Sequence, residues 1–328
     1  MAQRESTDNP SFTEAASPFD DPKADVILRS SDNVDFRCYK ILLSLTSTFF
    51  EGMFSLPQAS IEDDVLMKDG LQIVPMEEKA SILEAVLRLC HPSSIRNPLI
   101  LELDDIKSVY DTARKYVMED VEETIRNTLI SARFLEQAPM RVFGIACALR
   151  LGAEAQIAAA ATLESDLGDL VYFPELEYLS GGDIYHLQLY HKACRNVAQE
   201  VIGDVRELKM GVAISYRWFT CNENSKICHC IPIPGNLVEA EAAKWWIYSY
   251  LAPCQRQLKT APMGKKVKTT RRLGAALVAA QACPECKQTS FEDLEYFAER
   301  FGEEIDKAVA KVPLQLSWMA VEDKAAEE

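Results

Sequence analysis

The stretch Asp25-Val-Ile-Leu-Arg-Ser30, Ser31-Asp-Asn33, Val34-Asp-Phe-Arg-Cys-Tyr39 decides the fold of the first part of this chain. A β-branched apolar run is followed by turn-forming residues and then by alternating apolar and polar residues. This pattern is typical of two strands joined by a three-residue connection. Apolar residues at helical spacing come next and end at Pro57, and residues 71–76 predict a third short strand.

The apolar residues of this stretch predict a core between the strands and the first helix. We expect Phe36, Leu42, Phe49 and Phe54 to be buried there. Replacing a buried phenylalanine by alanine costs about 3–5 kcal/mol, so Phe49→Ala is expected to destabilise the fold by about that amount.

The order of residue types in this region resembles the opening of BTB/POZ domains. The resemblance is carried by Asp25-Val-Ile-Leu, Ser31-Asp32, Phe36-x-x-Tyr39-Lys40, Leu42-Leu43-Ser44, Ser47, Phe49-Phe50 and Met53-Phe54. The short form with Phe54-Ser-Leu-Pro-Gln58 after it is similar to the variant common in fungi. The family usually has histidine where Tyr39 stands. The resemblance covers about residues 24–133 and implies a short β-sheet packed on helices, within an α+β, mostly helical protein.

The rest of the chain predicts further segments. Residues 1–23 contain three prolines among acidic and hydroxyl residues and are expected to be a disordered tail. Residues 24–133 form the BTB/POZ-like domain. Apolar residues three or four positions apart predict a helical extension over 134–203 and a cysteine-containing helical domain over 212–315. Residues 316–328 are expected to be a charged tail.

Composition restricts the classes of partner. The 328 residues carry a formal net charge of −15, with 48% apolar and 26% charged residues, as in an ordinary globular protein. Such a negative field repels phosphate backbones, so we expect no nucleic-acid partner. Residues 144–161 are interrupted by Arg150, Glu154 and Gln156, so we expect no membrane-spanning helix. The start of the chain has no apolar run, which predicts cytoplasmic or nuclear localisation and reduced cysteines.

The expected function of the chain is implied by its resemblance to BTB/POZ domains. BTB/POZ domains serve protein–protein interaction, including self-association, so the resemblance implies an adaptor or scaffold that can be homo-oligomeric. An alternative is a substrate receptor of a cullin-type ubiquitin ligase. Cullin-binding relatives often carry an apolar-x-Glu element where this chain has Gln58-Ala59-Ser60, and the helix exchanged in long-form dimers has no counterpart in residues 1–23.

Asp25 and Lys40 match an acidic and a basic residue that BTB domains place near a groove, and Tyr39 stands beside them. One interpretation is a partner-recognition groove formed by these three residues. The other is a structural ion pair that fixes the sheet to the first helix. Charged groups beside apolar strands usually persist only when they are paired, which favours the structural interpretation.

Cysteines of the last third are the main candidate site. Cys228-His-Cys230 and Cys283-Pro-Glu-Cys286 are two closely spaced pairs, and Cys221 lies near the first. Two thiolates in a C-x-x-C arrangement can both bind one zinc ion, so a structural zinc held by Cys228, Cys230, Cys283 and Cys286 is one hypothesis. The alternative is that these cysteines are small buried apolar residues.

A basic run, Lys265-Lys266-Val267-Lys268, lies between two predicted helices after Pro262 and Gly264. We expect it to be exposed and mobile. Clustered lysines in an extended segment are typical of a nuclear import signal, and Lys265, Lys266 and Lys268 are the candidate residues. The alternative is a solvated loop whose charge offsets nearby carboxylates.

Motifs of catalysis are absent from the sequence. It has no glycine-rich phosphate loop, no nucleophile elbow and no H-E-x-x-H. We therefore expect a protein that is not an enzyme. The competing hypothesis is an enzyme with an unrecognised site in the C-terminal domain, which would show as a pocket with converging His, Cys or acidic groups.

Overall fold

The computed structural model describes residues 12–56, 66–91, 101–165, 167–169, 171–203, 216–221, 228, 230–232 and 241–319. Backbone contacts divide the chain into two compact units, Met1–Phe134 and Leu135–Glu328. The predicted helical extension and the predicted C-terminal domain both fall in the second unit. None of the helices in the described part is long and apolar enough to cross a membrane.

The first unit combines short strands with helices, as the sequence predicts. Its elements are β1 (Thr13–Glu14), β2 (Val26–Arg29), β3 (Val34–Cys38), α1 (Lys40–Thr46), α2 (Thr48–Ser55), β4 (Met67–Lys68), β5 (Leu71–Pro75), α3 (Ala80–Leu89), α4 (Leu103–Lys115) and α5 (Glu119–Leu129). The helix α6 (Ala132–Gln137) follows. The three strands predicted from alternation are confirmed as β2, β3 and β5.

Five strands form one mixed sheet in the order β1-β3-β2-β5-β4. β2 and β3 are antiparallel, and Asn33 between them adopts a left-handed φ of 65°, which asparagine tolerates better than most residues. β5 joins β2 in parallel, and β4 pairs antiparallel with β5 through Asp69 and Gly70, both with positive φ. The inner strand β2 is apolar and buried over Val26, Ile27 and Leu28, as a central strand requires.

The N-terminal segment corrects one prediction. Residues 12–23 are ordered, so the predicted disordered tail through residue 23 is wrong for this part. β1 pairs in parallel with β3, and the Phe19 ring is buried against Phe36, with ring centroids 5.4 Å apart. One buried aromatic side chain and one strand pairing are enough to anchor a polar, proline-containing segment. Residues 1–11 lie outside the described residues.

The first helical region also differs from its prediction. The sequence suggests one helix, but Ser47 separates α1 from α2 with extended backbone. Its hydroxyl accepts the Phe50 N–H at 3.1 Å and donates to the Tyr116 carbonyl at 2.6 Å. A buried N-cap of this kind starts a new helix in a new register.

The new register changes which side chains are buried. Phe36, Leu43 and Phe50 are buried, whereas Leu42 and Phe54 are only half-buried and Phe49 is exposed. The predicted burial of Phe36 is confirmed. The predicted burial of Leu42, Phe49 and Phe54 is wrong. The reason is that the helix is interrupted at Ser47. The apolar residues in the sequence keep a helical spacing across this position, so the spacing does not show the interruption.

The second unit is helical with one small hairpin. Its elements are α7 (Pro139–Ala148), α8 (Gly152–Thr162), α9 (Gly181–Gly203), α10 (Arg217–Thr220), β6 (Cys230–Pro232), β7 (Glu241–Ala243), α11 (Lys244–Trp246), α12 (Ala252–Leu258), α13 (Thr270–Ala280) and α14 (Ser290–Ala310). A π-helical turn, Ile247–Leu251, joins α11 to α12, and short 3-10 turns include Gly264–Lys266 and Cys286–Gln288. α9 packs on α14 and on α12.

An aromatic cluster fills the core of this unit between α10, α11 and α14. The indoles of Trp218 and Trp246 stack at 5.4 Å, and the Phe297 ring meets both edge-on at 5.6 and 5.5 Å. Tyr216 stacks on Trp218 at 4.8 Å. Large rings in these geometries contribute strongly to core stability, which is why this cysteine-rich part of the chain can be compact.

Candidate functional sites

Three exposed apolar side chains lie close in sequence on α1 and at the start of α2, and together they are called the exposed apolar face. Ile41 and Leu45 are four residues apart on α1 and are 62% and 73% exposed, and Phe49 in the first turn of α2 is 45% exposed. The Phe49 ring rests on Tyr116 and Phe50 at 5.4 Å each, so its position is fixed although one side faces solvent. Single exposed apolar residues are normal on a protein surface. An exposed isoleucine, leucine and phenylalanine this close in sequence instead indicate an interaction surface.

The candidate groove residues Asp25, Lys40 and Tyr39 are placed together by the start of α1. Asp25 accepts a hydrogen bond from the backbone N–H of Lys40 at 2.7 Å, so its carboxylate holds the first turn of the helix. The Lys40 ammonium lies 5.4 Å from the centroid of the Phe54 ring. The Tyr39 hydroxyl donates to Asp21 at 2.5 Å, and this bond lowers the pKa of Asp21. The contact described between Asp25 and Lys40 is therefore a backbone hydrogen bond, which differs from the predicted ion pair of their side chains. The partner-groove interpretation stays a prediction.

Four buried thiols form a cluster in the second unit. They belong to Cys221, Cys228, Cys283 and Cys286, and their sulfur atoms all lie within 4.8 Å of one another. The Cys228 sulfur is 3.1 Å from that of Cys221 and 3.3 Å from that of Cys286, and the Cys221 and Cys283 sulfurs are 3.8 Å apart. Three of the four predicted zinc ligands are therefore brought together.

The fourth thiol of the cluster is Cys221 rather than Cys230. Cys230 is the first residue of β6, where it pairs with Ala243 in the two-stranded ladder, and its thiol donates to the Cys221 carbonyl at 3.6 Å. The strand pairing thus holds Cys230 beside the cluster and outside it. Cys221, the residue that follows α10, takes its place, with its sulfur 3.8 Å from that of Cys283.

The thiols differ in their electrostatic surroundings. Burial raises the pKa of Cys228 above its ordinary value, and burial raises the pKa of Cys286 to about 12. Burial also disfavours the Cys283 thiolate, but the Cys286 N–H donates to its sulfur at 3.4 Å, and such bonds bring the pKa of Cys283 below its ordinary value. Negative charge in the cluster is therefore favoured first on Cys283.

The basic run is ordered, so the expectation of a mobile, extended segment is wrong. Lys265 and Lys266 lie in the 3-10 turn, and both reach Glu164, at 2.7 and 2.9 Å. Lys268 pairs with Glu299 at 2.8 Å, and Val267 between them is fully buried. The backbone turns here because Gly264, at the start of the turn, packs directly against α14. This contact prevents the lysines that follow from adopting an extended conformation.

One concave site in the second unit bears on the enzyme hypothesis. A cavity of about 400 Å³ is lined by residues that include Cys147, Arg150, Asp183 and Trp318. The Asp183 carboxylate accepts hydrogen bonds from the N–H and hydroxyl of Ser180 at 2.9 and 2.7 Å and from the Trp318 indole at 3.2 Å. Burial raises the pKa of Cys147, which makes its thiol a weak nucleophile. These groups stabilise the start of α9 and show no catalytic arrangement.

Comparison with known protein families gives one match in the first unit. The BTB/POZ domain family model matches residues 19–133, which contain the sheet strands β2 to β5 and the exposed apolar face. A search of curated proteins finds no match to this chain.

Proposed function

We propose that this chain, whose residues 19–133 form a BTB/POZ domain, is a protein-interaction adaptor that associates with a second copy of itself through α1 and α2. BTB domains in general act by protein–protein contact, including self-association and cullin binding. The observation that carries the proposal is the exposed apolar face of Ile41, Leu45 and Phe49.

A second copy is the occupant that fits this face best. In a two-fold symmetric dimer the same surface of each subunit meets its counterpart, so the surface must be complementary to itself. Uncharged aliphatic and aromatic side chains meet this condition without any matching of charge. Repulsion between two chains that each carry −15 opposes association, and burial of apolar side chains is the favourable term that offsets it.

Sedimentation of the full chain at micromolar concentration tests the proposal. The wild-type chain is expected to sediment as a dimer and Leu45→Glu as a monomer, because a buried carboxylate on each subunit opposes the interface. Val278→Glu is the matched control, since Val278 is 76% exposed on α13 and is expected to leave the dimer intact. A wild-type monomer at all concentrations, or a Leu45→Glu dimer, would overturn the proposal.

The cullin-receptor role is the finer alternative within the same class of function. Its diagnostic position, Gln58-Ala59-Ser60, lies outside the described residues, and the residues there depart from the apolar-x-Glu element. What supports this alternative is the general behaviour of BTB domains. A direct binding measurement between the full chain and a purified cullin N-terminal domain separates it from an adaptor that only self-associates.

For localisation, the contacts of the basic run favour the charge-offsetting alternative over an import signal. All three lysine ammonium groups meet carboxylates, and an import receptor would have to break these ion pairs. A fluorescent fusion with alanine at Lys265, Lys266 and Lys268 is expected to keep the wild-type nuclear-to-cytoplasmic ratio. A clear loss of nuclear signal would restore the import hypothesis.

A further inference from the structure

The sulfur separations in the cysteine cluster match those of a metal site. Zinc binds thiolates at about 2.3 Å with tetrahedral geometry, which places the sulfurs about 3.8 Å from one another. The sulfurs of Cys221, Cys228, Cys283 and Cys286 have separations of 3.1, 3.3 and 3.8 Å, and all lie within 4.8 Å of one another, a range that brackets this value. They are much longer than the disulfide bond length of about 2.05 Å.

Simple burial of small apolar residues does not explain this arrangement. Cys221 and Cys228 are seven residues apart, and Cys283 and Cys286 lie in the loop between α13 and α14. Two parts of the chain, separated by 62 residues between Cys221 and Cys283, therefore converge on one point. Thiols buried for their apolar character pack against hydrocarbon as well as each other. Here the four sulfur atoms surround a common centre.

Hydrogen-bond donors lie beside the sulfur atoms of the Cys283-Cys286 loop. The Cys286 N–H donates to the Cys283 sulfur at 3.4 Å. The Trp245 indole nitrogen is buried beside this loop and is without a hydrogen-bond partner among the described residues. Donors directed at buried sulfur stabilise negative charge on it, which is the state in which cysteine binds a metal.

We propose that Cys221, Cys228, Cys283 and Cys286 bind one Zn²⁺ ion in a closed tetrahedral site. On binding, each thiol releases its proton to solvent and its sulfur forms a bond to the metal. Four protein ligands leave no position for water or substrate, so the ion has a structural role. It ties α10 and the β6–β7 hairpin to the loop that precedes α14.

Cys230 provides a matched control for the ligand assignment. It lies two residues from Cys228, and its thiol is adjacent to the cluster, but it forms no part of the four. A zinc site that used Cys230 in place of Cys221 would reverse the effects of the two single substitutions. The comparison of Cys221→Ser with Cys230→Ser therefore tests this geometry in particular.

The experiment is elemental analysis of the full chain purified under reducing conditions without chelator. The wild type and Cys230→Ser are expected to contain about one zinc per chain, and Cys221→Ser to lose most of it. Cobalt replacement in the wild-type chain should give the thiolate charge-transfer and d–d absorption of a tetrahedral four-thiolate site. Because Cys221→Ser can fail to fold, Cys221→His serves as a second variant and is expected to retain a zinc ion with three thiolates.

Several outcomes would overturn the proposal. A wild-type chain without zinc that does not take up cobalt would show that the cluster is four buried thiols. Stoichiometric iron instead of zinc would reject the assigned metal, since four thiolates also suit iron. Zinc lost from Cys230→Ser and kept in Cys221→Ser would reject the ligand set.

Discussion

Phe49 and Phe50 are adjacent residues with different surroundings. The Phe50 ring is 1% exposed and stacks on Tyr116 at 5.4 Å, whereas one side of the Phe49 ring faces solvent. The difference follows from the cap at Ser47, since the Ser47 hydroxyl accepts the Phe50 N–H and fixes the first turn of α2. The core of the first unit depends on the second phenylalanine of the pair.

Alanine substitutions at these two residues are expected to differ in cost. Phe50→Ala should lower the free energy of unfolding by about 3–5 kcal/mol, since it leaves a cavity in the core. Phe49→Ala removes two ring contacts and should cost about 1 kcal/mol. Urea denaturation in a Leu45→Glu background measures both without a contribution from self-association. Equal losses at the two positions would contradict the burial described here.

Asp35 is a buried carboxylate that joins two strands. It is 1% exposed and accepts hydrogen bonds from Arg29 Nε at 2.6 Å and from Lys68 Nζ at 2.7 Å. Burial raises the pKa of Asp35. The hydrogen bonds and charges of Arg29 and Lys68 lower it by a larger amount, so the pKa of Asp35 lies below its ordinary value. Its ionised form therefore stabilises the folded state.

Asp35→Asn is expected to cost about 3 kcal/mol at neutral pH, because it leaves the part-buried guanidinium of Arg29 without its carboxylate and removes one of the two carboxylates that pair with Lys68. A carboxyl group whose folded pKa is depressed contributes stability above its unfolded pKa and loses it as the pH falls through its folded pKa. The difference between wild type and Asp35→Asn should therefore shrink below about pH 4. Denaturation curves across this range check it. A difference that is independent of pH would rule out the charge as its source.

Residue-scale predictions from sequence succeed where the pattern is local. Alternation identifies β3 and the burial of Phe36, because successive strand residues face opposite sides. The spacing of Ile41, Leu45 and Phe49 is equally regular, but it marks an exposed face, and no sequence period distinguishes a face that meets the core from one that meets a partner. Cys221 was not assigned as a ligand because Cys230 stands closer to Cys228 in sequence, and only the tertiary structure shows which of the two thiols joins the cluster.

At the scale of elements, the turn Gly264–Lys266 packs on α14 with backbone against backbone. The Gly264 N–H donates to Asp306 at 2.7 Å, and a Cβ atom at Gly264 would lie 2.1 Å from the Gly302 carbonyl oxygen. Two glycines facing each other permit this approach. The contact fixes where the basic run lies, and it explains why that run is ordered although prolines, glycines and lysines in sequence indicate a loop.

Gly264→Ala and Gly274→Ala are expected to act in opposite directions. At Gly264 the new methyl group overlaps backbone atoms that cannot move aside, so the substitution should destabilise the second unit by about 3 kcal/mol. At Gly274, inside α13, nothing lies within 4 Å of the added Cβ, so alanine should stabilise the helix by about 0.5–1 kcal/mol. Thermal unfolding distinguishes them. Two changes of the same sign would contradict the close contact at Gly264.

At the scale of the whole molecule, the two units carry different functions in this account. The first unit contains the BTB/POZ domain and the exposed apolar face, and the second contains the cysteine cluster within a helical core. The first was predictable because its motif is contiguous over residues 25–54. The second was predictable only as a set of helices, because its core joins segments more than fifty residues apart.

The dimer through α1 and α2 is the central claim, and photo-crosslinking from position 45 tests it most directly. Leu45→p-benzoylphenylalanine is prepared in a mixture of ¹⁴N- and ¹⁵N-labelled full chains, so that mass spectrometry distinguishes links between copies from links within one copy. The account predicts a covalent product of twice the 36.8 kDa chain mass, with mixed-isotope peptides that join position 45 to α1 or α2 of the other copy. Only unlinked chains, or links between copies that map to another surface, would contradict it.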